Sequence, residues 1–258
     1  MIAETRDRLQ QAFVLHRRDY SDTSLLLEVF TAAYGRLPLL AKGAKRPRAP
    51  GAALLQPFTP VLLAWTGRGE VRTLVRVEPA GRPLALCGDA LFCGFYVNEL
   101  LTRLVGRQDP HEVLFVFYQL VLEELASGND IDTPLRRFEL RLLAELGYQS
   151  VLDREADGGA PVRPDRHYVY SSELGLLPAD SSGAQGAISG ETLRRLTGGE
   201  PLTGIHVREA RALTRRLLAP HLGERPLQSR ALFAARRSVR ARVAAPSESA
   251  LSKPLGSP

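Results

Sequence analysis

The chain has 258 residues, 44% of them hydrophobic and 24% charged, with a formal net charge of +6. That length suits one large domain or two modest ones, and that balance excludes a fibrous or wholly disordered polypeptide. The opening MIAETRDRLQQAF lacks the apolar stretch of a secretory signal, and the most apolar run, 113–122, is too short to span a bilayer, so a cytoplasmic location without membrane association is expected.

The first eighty residues read as five short strands rich in Val, Leu and Phe: 11–18 (QAFVLHRR), 24–31 (SLLLEVFT), 36–42 (RLPLLAK), 57–65 (PFTPVLLAW) and 71–78 (VRTLVRVE). Turn chemistry separates them, at 19–22, Tyr34-Gly35, 47–51 and Gly67-Arg68-Gly69. Five strands without a long helix predict a small closed barrel, the OB-fold being the commonest that binds oligonucleotides, and an SH3-like barrel gives almost the same pattern.

From Pro83 onward the period becomes helical. Residues 89–105 place Phe92, Phe95, Tyr96, Leu100 and Leu104 on one face, and 111–126 are apolar over much of the circumference, as in a buried helix. Thr133-Pro134 offers an N-cap and a first-turn proline, Leu135, Phe138, Leu142, Leu143 and Leu146 form a stripe, and Gly147 closes it. A further helix over 206–218 carries Val207, Ala210, Leu213 and Leu217, with Gly223 as its stop. The expected class is therefore α+β, with a five-stranded barrel over 1–81 and an α-helical bundle over 82–242. Residues 151–188, dominated by Gly, Pro, Asp and Ser, interrupt the bundle as an irregular insertion with a small hairpin at most. Residues 243–258 have the composition of a disordered tail.

Charge is segregated along this plan. Residues 1–81 carry twelve Lys/Arg against seven acids, 82–150 six against ten, 151–204 five against eight, and 205–242 ten arginines against two acids. Two basic ends around an acidic middle suggest a polyanion partner, because neutralising phosphates releases counterions. An arginine-rich composition alone would explain Arg over Lys, but not the segregation. The run 29–69 holds no acid in 41 residues, yet contains Arg36, Lys42, Lys45, Arg46, Arg48 and Arg68. Four of these fall in AKGAKRPR, which the neighbouring Gly43, Pro47 and Gly51 make an exposed, flexible loop. A basic loop on a barrel is the electrostatic half of a single-strand site. Stacking aromatics are the other half, with Tyr20, Phe30, Tyr34, Phe58 and Trp65 as candidates, most of them at positions that suit barrel packing better. Arg208, Arg211 and Arg215 share one helix face, and Arg216, Arg225, Arg230, Arg236, Arg237, Arg240 and Arg242 extend that basic end; a solvated helix accounts for part of this charge.

Metal and catalytic signatures are missing from the sequence. Five residues lie between Cys87 and Cys93 and there is no second pair, so two buried thiols are expected rather than a metal site or a disulfide framework. No GxSxG, HExxH, P-loop or dinucleotide fingerprint occurs. No cofactor and no enzymatic turnover are expected. A nucleic-acid-modifying enzyme with a delivering barrel and an RNA-associated OB protein are the alternatives; the lack of a clustered acid pair opposes the first, and a long acidic helical region the second.

Several segments together resemble the RecO family of recombination mediators. FVLHRRDYSDTSLLLEVFTAAYGRLPLLAKGAKRPR, with its acid-Thr turn at Asp22-Thr23, is similar to the opening barrel, and GAALLQPFTPVLLAWTGRGEVRTL to the next two strands. YVNELLTRL, LRRFELRLLAELGY and LGERPLQSRALF resemble three helical signatures in the family's order. The resemblance implies an N-terminal OB-fold, a helical C-terminal domain, and binding to single- and double-stranded DNA. It also implies strand annealing, contact with the acidic C-terminal tail of single-strand-binding protein, and cooperation with RecR to load RecA. Many members carry a CxxC…CxxC zinc module after the LGY signature, but residues 148–190 hold no cysteine, so this chain resembles the zinc-less branch. The tail contact is expected in LRRFELRLLAELGY, where Phe138, Leu142 and Leu146 occupy the apolar stripe. Arg136 and Arg137 cannot both be buried with it, and Arg136 is placed first as the carboxylate-binding residue.

Overall fold

The computed structural model describes residues 8–49, 51–180 and 183–229. Strand β1 (Gln10–Asp19) buries Ala12, Phe13, Val14 and Leu15 in succession. A strand sends alternate side chains to opposite faces, so four buried residues in a row require a core on each side. Ala12 and Val14 enter the barrel interior with Leu27, Val29, Leu39, Leu63 and Trp65. Phe13 and Leu15 face outward into a second core shared with the helices. In β2 (Leu25–Thr31) the same division puts Val29 inside and Phe30 against the helices.

The barrel closes in the order β1-β2-β3-β5-β4, with β3 (Gly35–Ala41) and β5 (Arg72–Pro79) parallel and the other pairs, including those of β4 (Val61–Thr66), antiparallel. This is the five-stranded Greek-key closure of an OB-fold. The parallel β3–β5 seam excludes an all-antiparallel closure. Between β3 and β4 lies a short 3-10 turn, Ala52–Leu54.

Helices α1 (Gly88–Leu104), α2 (Glu112–Ser127) and α3 (Asp132–Glu145) follow, with α5 (Ile205–Leu222) packed across α3. Phe13 meets Tyr118 edge to face at 5.1 Å, and Phe30 meets Phe115 at 5.6 Å, so aromatic packing joins barrel to α2. At the same seam Asn98 donates to the Leu15 carbonyl at 2.9 Å and accepts from Tyr118 Oη at 2.7 Å. The apolar face of α1 is the one expected at Tyr96 and Leu100, with Phe92 and Leu104 half-buried, but it is centred differently. Cys93, Val97, Leu100 and Leu101 are buried, whereas Phe95 is 38% exposed, because the helix is flanked by both α2 and β1. Nor does Thr133 cap α3. Asp130 Oδ1 accepts from the Asp132 and Thr133 amides, and Thr133 Oγ1 instead accepts from Leu202 N at 2.9 Å. Cys93 is buried as expected, but Cys87, one residue before α1, is exposed. Burial pushes the Cys93 thiol up to about 12, which keeps it protonated and unreactive at neutral pH.

The cysteine-free segment builds a three-stranded sheet in the order β7-β6-β8 from β6 (His167–Ser171), β7 (Gly175–Ala179) and β8 (Ile188–Ser189). Tyr168, Leu176 and Ile188 are buried into the helical core, and Tyr168 Oη accepts from Arg163 N while donating to Glu155. Apolar packing and a satisfied hydroxyl thus hold the segment together. A helix not read from the sequence, α4 (Gly190–Gly198), follows it; Ser189 caps it by accepting from Thr192 N, and Glu209 of α5 accepts from both the amide and hydroxyl of Ser189. No described helix is long and apolar enough to cross a membrane. The expected tail at 243–258 lies outside the described residues.

The chain past α5 is clamped onto α1. Arg103 donates to the Arg225 and Pro226 carbonyls, and Glu99 accepts from Gln228 N, Ser229 N and Ser229 Oγ at 2.9, 2.9 and 2.7 Å. Burial alone would push the Glu99 carboxyl up. The Ser229 amide and hydroxyl, the Gln228 amide and the Arg103 charge outweigh it and hold the group below its ordinary value of 4.5. A depressed folded-state pKa gives stability that is present above the unfolded value and lost as pH falls through the folded one. Glu99→Gln should therefore melt lower than the parent at neutral pH. The gap should close as the pH drops below 4.5, which a pH series of thermal melts would read directly.

Candidate nucleic-acid interface

The β1–β2 hairpin and the chain leaving β3 share one end of the barrel, since Leu25, the last residue to pair with Asp19, also pairs with Ala41. Residues 16–20 are all exposed; past the bulge at Val14/His16, β1 is paired with β2 alone, since β4 pairs with it only over Gln10, Gln11 and Ala12. Arg17 and Arg18 therefore stand free of the packing that holds Phe13 and Leu15. Lys42, Arg46 and Arg48 are exposed on the facing loop, which is a series of turns (Arg46 N to Gly43 O, Ala49 N to Arg46 O) rather than loose chain. Lys45 stitches the two together. Its amide donates to the Thr23 carbonyl at 3.0 Å, and its Nζ donates to Asp19 Oδ2 at 2.7 Å and to the Ser21 carbonyl at 3.2 Å. This end carries six cations, Arg17, Arg18, Lys42, Lys45, Arg46 and Arg48, against Asp19 and Asp22.

Two residues expected with this loop belong elsewhere. Arg36 is only 13% exposed at its side chain; Nη1 pairs with Glu28 at 2.6 Å and Nε donates to the Val105 carbonyl at 3.1 Å. Its guanidinium ties the barrel to the end of α1 and has little left to offer a phosphate. Arg68 is exposed, but at the opposite end. Because β5 runs parallel to β3 with Arg72 opposite Leu39, the 67–71 hairpin lies toward the start of β3. The seven residues of β3 separate the two ends by about 20 Å. Arg68 has different company there: Arg72, whose Nη2 donates to Gln108 at 2.8 Å, and the exposed Arg107, 3.6 Å from Glu28.

On α5, Arg208, Arg211, Arg215 and Arg216 are all exposed. Arg211 pairs with Asp132 at 2.7 Å and Arg216 donates to the Tyr170 carbonyl, which leaves Arg208 and Arg215 as the members with neither an ion pair nor a side-chain hydrogen bond among the described residues. Arg230, Arg236, Arg237, Arg240 and Arg242 lie outside the described residues.

The expected order of Arg136 and Arg137 is reversed by the packing. Arg136 has a side chain 8% exposed, with Nη1 donating to Thr214 at 2.9 Å and lying 3.0 Å from a Glu139 oxygen; its buried Nε has no hydrogen-bond partner. It faces inward because α5 crosses α3 at this turn and supplies Thr214. Arg137 is 38% exposed and pairs with Glu124 of α2. Among the described residues no three His, Cys, Asp or Glu side chains gather as a metal site.

Sequence reasoning missed Arg17, Arg18, Arg72 and Arg107. For the first two the signal was present: HRRD ends β1 with four consecutive polar residues, a break in alternation that marks the stretch of a strand that leaves the core. For Arg72 and Arg107 there was none, since their proximity depends on how the α1–α2 loop folds back on the barrel.

Barrel topology, a helical region packed on it and a cationic loop end define an OB-fold protein with a basic face. Residues 6–82 match the family model "Recombination protein O N terminal", and residues 87–231 match "Recombination protein O C terminal". The chain is similar to the DNA repair protein RecO of Nitrosospira multiformis, at 45% identity over 90% of this chain and 97% of the relative. It is similar also to that of Methylococcus capsulatus, at 48% over 89% and 94%, and to that of Nitrosococcus oceani, at 46% over 87% and 92%. The chain belongs to the RecO family of DNA repair proteins.

Proposed function

We propose that this protein is a recombination mediator. It binds single- and double-stranded DNA, anneals complementary strands, and works with RecR to help load RecA onto DNA coated by single-strand-binding protein. It acts by binding rather than by chemical turnover. The observation that carries the DNA-binding part is the end of the barrel, where exposed Lys42, Arg46 and Arg48 stand beside exposed Arg17 and Arg18. Cations so arranged neutralise phosphates without reading bases, which suits a protein that must act on any sequence. Exposed Arg208 and Arg215 give the helical region a second basic surface, and annealing requires two strands to be held at once.

The tail of single-strand-binding protein is placed by this reading on α3. Arg137, half-exposed, is the residue that can receive its carboxylates first, and the unpartnered Nε of Arg136 behind it is a donor that a carboxylate could satisfy. The decisive test of the mediator reading is annealing of complementary oligonucleotides without Mg²⁺ or nucleotide. Duplex formation should accelerate and both strands should be recovered chemically intact. Strand cleavage or base modification would instead favour an enzyme.

A further inference from the structure

Of the five aromatic residues that the sequence offers as stacking platforms, four are taken up by packing. Phe30, Phe58 and Trp65 are 0%, 5% and 0% exposed, and Tyr34 is set edge to face on Trp65 at 5.3 Å. Tyr20 differs. It is 65% exposed at the tip of the β1–β2 hairpin, in the midst of the cationic end of the barrel. Its backbone is fixed on both sides: Lys45 grips Asp19 before it and the Ser21 carbonyl after it, while the Tyr20 amide donates to Ser24 O at 3.1 Å. A large apolar ring is thus held in water by a braced turn, among Arg17, Arg18 and Lys45.

We propose that Tyr20 is a stacking platform for an unpaired base, and that it makes this end of the barrel favour single-stranded over duplex DNA. This rests on the proposed DNA-binding function and deepens it. The surrounding cations attract the phosphates of single strand and duplex alike, so they confer affinity without favouring the single strand. An exposed ring supplies what they lack. It offers a face to a base that is free to leave its neighbours, whereas in a duplex the bases are already stacked and paired, and presenting one would require extrusion. Stacking tolerates every base, so the preference is for strandedness and not for sequence. Lys45 serves here as a positioning residue, since its hydrogen bonds hold the turn that displays the ring.

The test uses the full-length protein and two DNA probes, a single-stranded oligonucleotide and the matching duplex. Tyr20→Ala should weaken single-strand binding about five- to a hundredfold, the range for loss of one base–aromatic stack, and leave duplex affinity within about twofold. Tyr20→Trp should retain single-strand affinity. Because the chain's one native tryptophan, Trp65, is wholly buried, the new indole reports on its own surroundings, and its emission should be quenched on adding single strand but not duplex. Equal losses for both probes in Tyr20→Ala, or no quenching in Tyr20→Trp, would overturn the stacking role. If Tyr20→Ala changes nothing while neutralising Lys42, Arg46 and Arg48 still weakens both probes, the platform fails and the DNA-binding surface stands. If neither variant alters binding, the surface itself is wrongly placed.

Discussion

Replacing Arg136 with alanine is expected to lower the unfolding free energy by about 3–5 kcal/mol, the cost of breaking a buried ion pair from one side. The side chains of Arg136 and Glu139 are 8% and 1% exposed, and their pairing is one part of a polar bolt through three helices. Tyr96 of α1 donates to Glu139 at 2.6 Å, Arg136 and Glu139 both come from α3, and Thr214 of α5 accepts from Arg136. Without Arg136 the Glu139 carboxylate stays in an apolar surround with a phenol as its remaining donor, so it must either bear the desolvation cost or take up a proton. Replacing both charged residues together, Arg136→Met with Glu139→Leu, removes the unpaired charge and should lose less than the sum of the two single changes. Urea unfolding would show a lower midpoint at unchanged slope. A loss in Arg136→Ala below about 1 kcal/mol, the range of exposed pairs, would show that the pair is solvated after all. The same reasoning makes Arg137→Ala the cleaner probe of tail binding, since a half-exposed residue can be removed without unsettling the core.

The difference between these two adjacent arginines shows what the sequence could and could not reveal. Helical periodicity located α3 and its stripe, and it required that Arg136 and Arg137 not both join that stripe. It could not say which of them would turn inward, because that depends on α5, some seventy residues later, crossing over with a threonine in the right place. The barrel was legible for a related reason. Its strands are short, and their interior positions are set by alternation within each strand, independently of distant partners. What alternation obscured was the second core: Phe13 and Phe30 fit a barrel interior by composition, yet they point outward onto α2. The site followed the same division. Lys42, Arg46 and Arg48 were readable because they stay exposed and make no ion pair among the described residues, whereas Arg36 carries the same charge in the same acid-free run and is consumed by Glu28 and the Val105 carbonyl. Charge along a chain identifies a basic segment. Which of its members remain available to a ligand is settled by the acids and carbonyls that tertiary structure brings alongside.

That distinction sets the design of the largest expected effect on DNA binding. Reversing Lys42, Arg46 and Arg48 to glutamate should weaken binding to oligonucleotides of every sequence and flatten its dependence on salt. Each phosphate left without its cation reduces the log–log slope by about 0.7 for a single strand, so three such phosphates would lower it by about 2. Lys45 is best left in place. Its ammonium already bonds Asp19 and the Ser21 carbonyl, and reversing it would set a carboxylate against Asp19 and open the turn that carries Tyr20. A Lys45 variant would therefore confound charge with geometry, while Lys42, Arg46 and Arg48 make no ion pair among the described residues and can be changed without breaking one. Arg36 supplies the opposite control. Arg36→Ala should lower the melting temperature, because it leaves Glu28 with only the more distant Arg107 and strands the Val105 carbonyl at the seam between barrel and helices, yet it should leave the salt slope of the folded protein unchanged. Titrations at several salt concentrations, with folding checked by circular dichroism, separate the two behaviours. An unchanged slope in the triple variant would remove the loop from the interface, and a slope reduced by Arg36→Ala would mean that its guanidinium reaches DNA despite its burial.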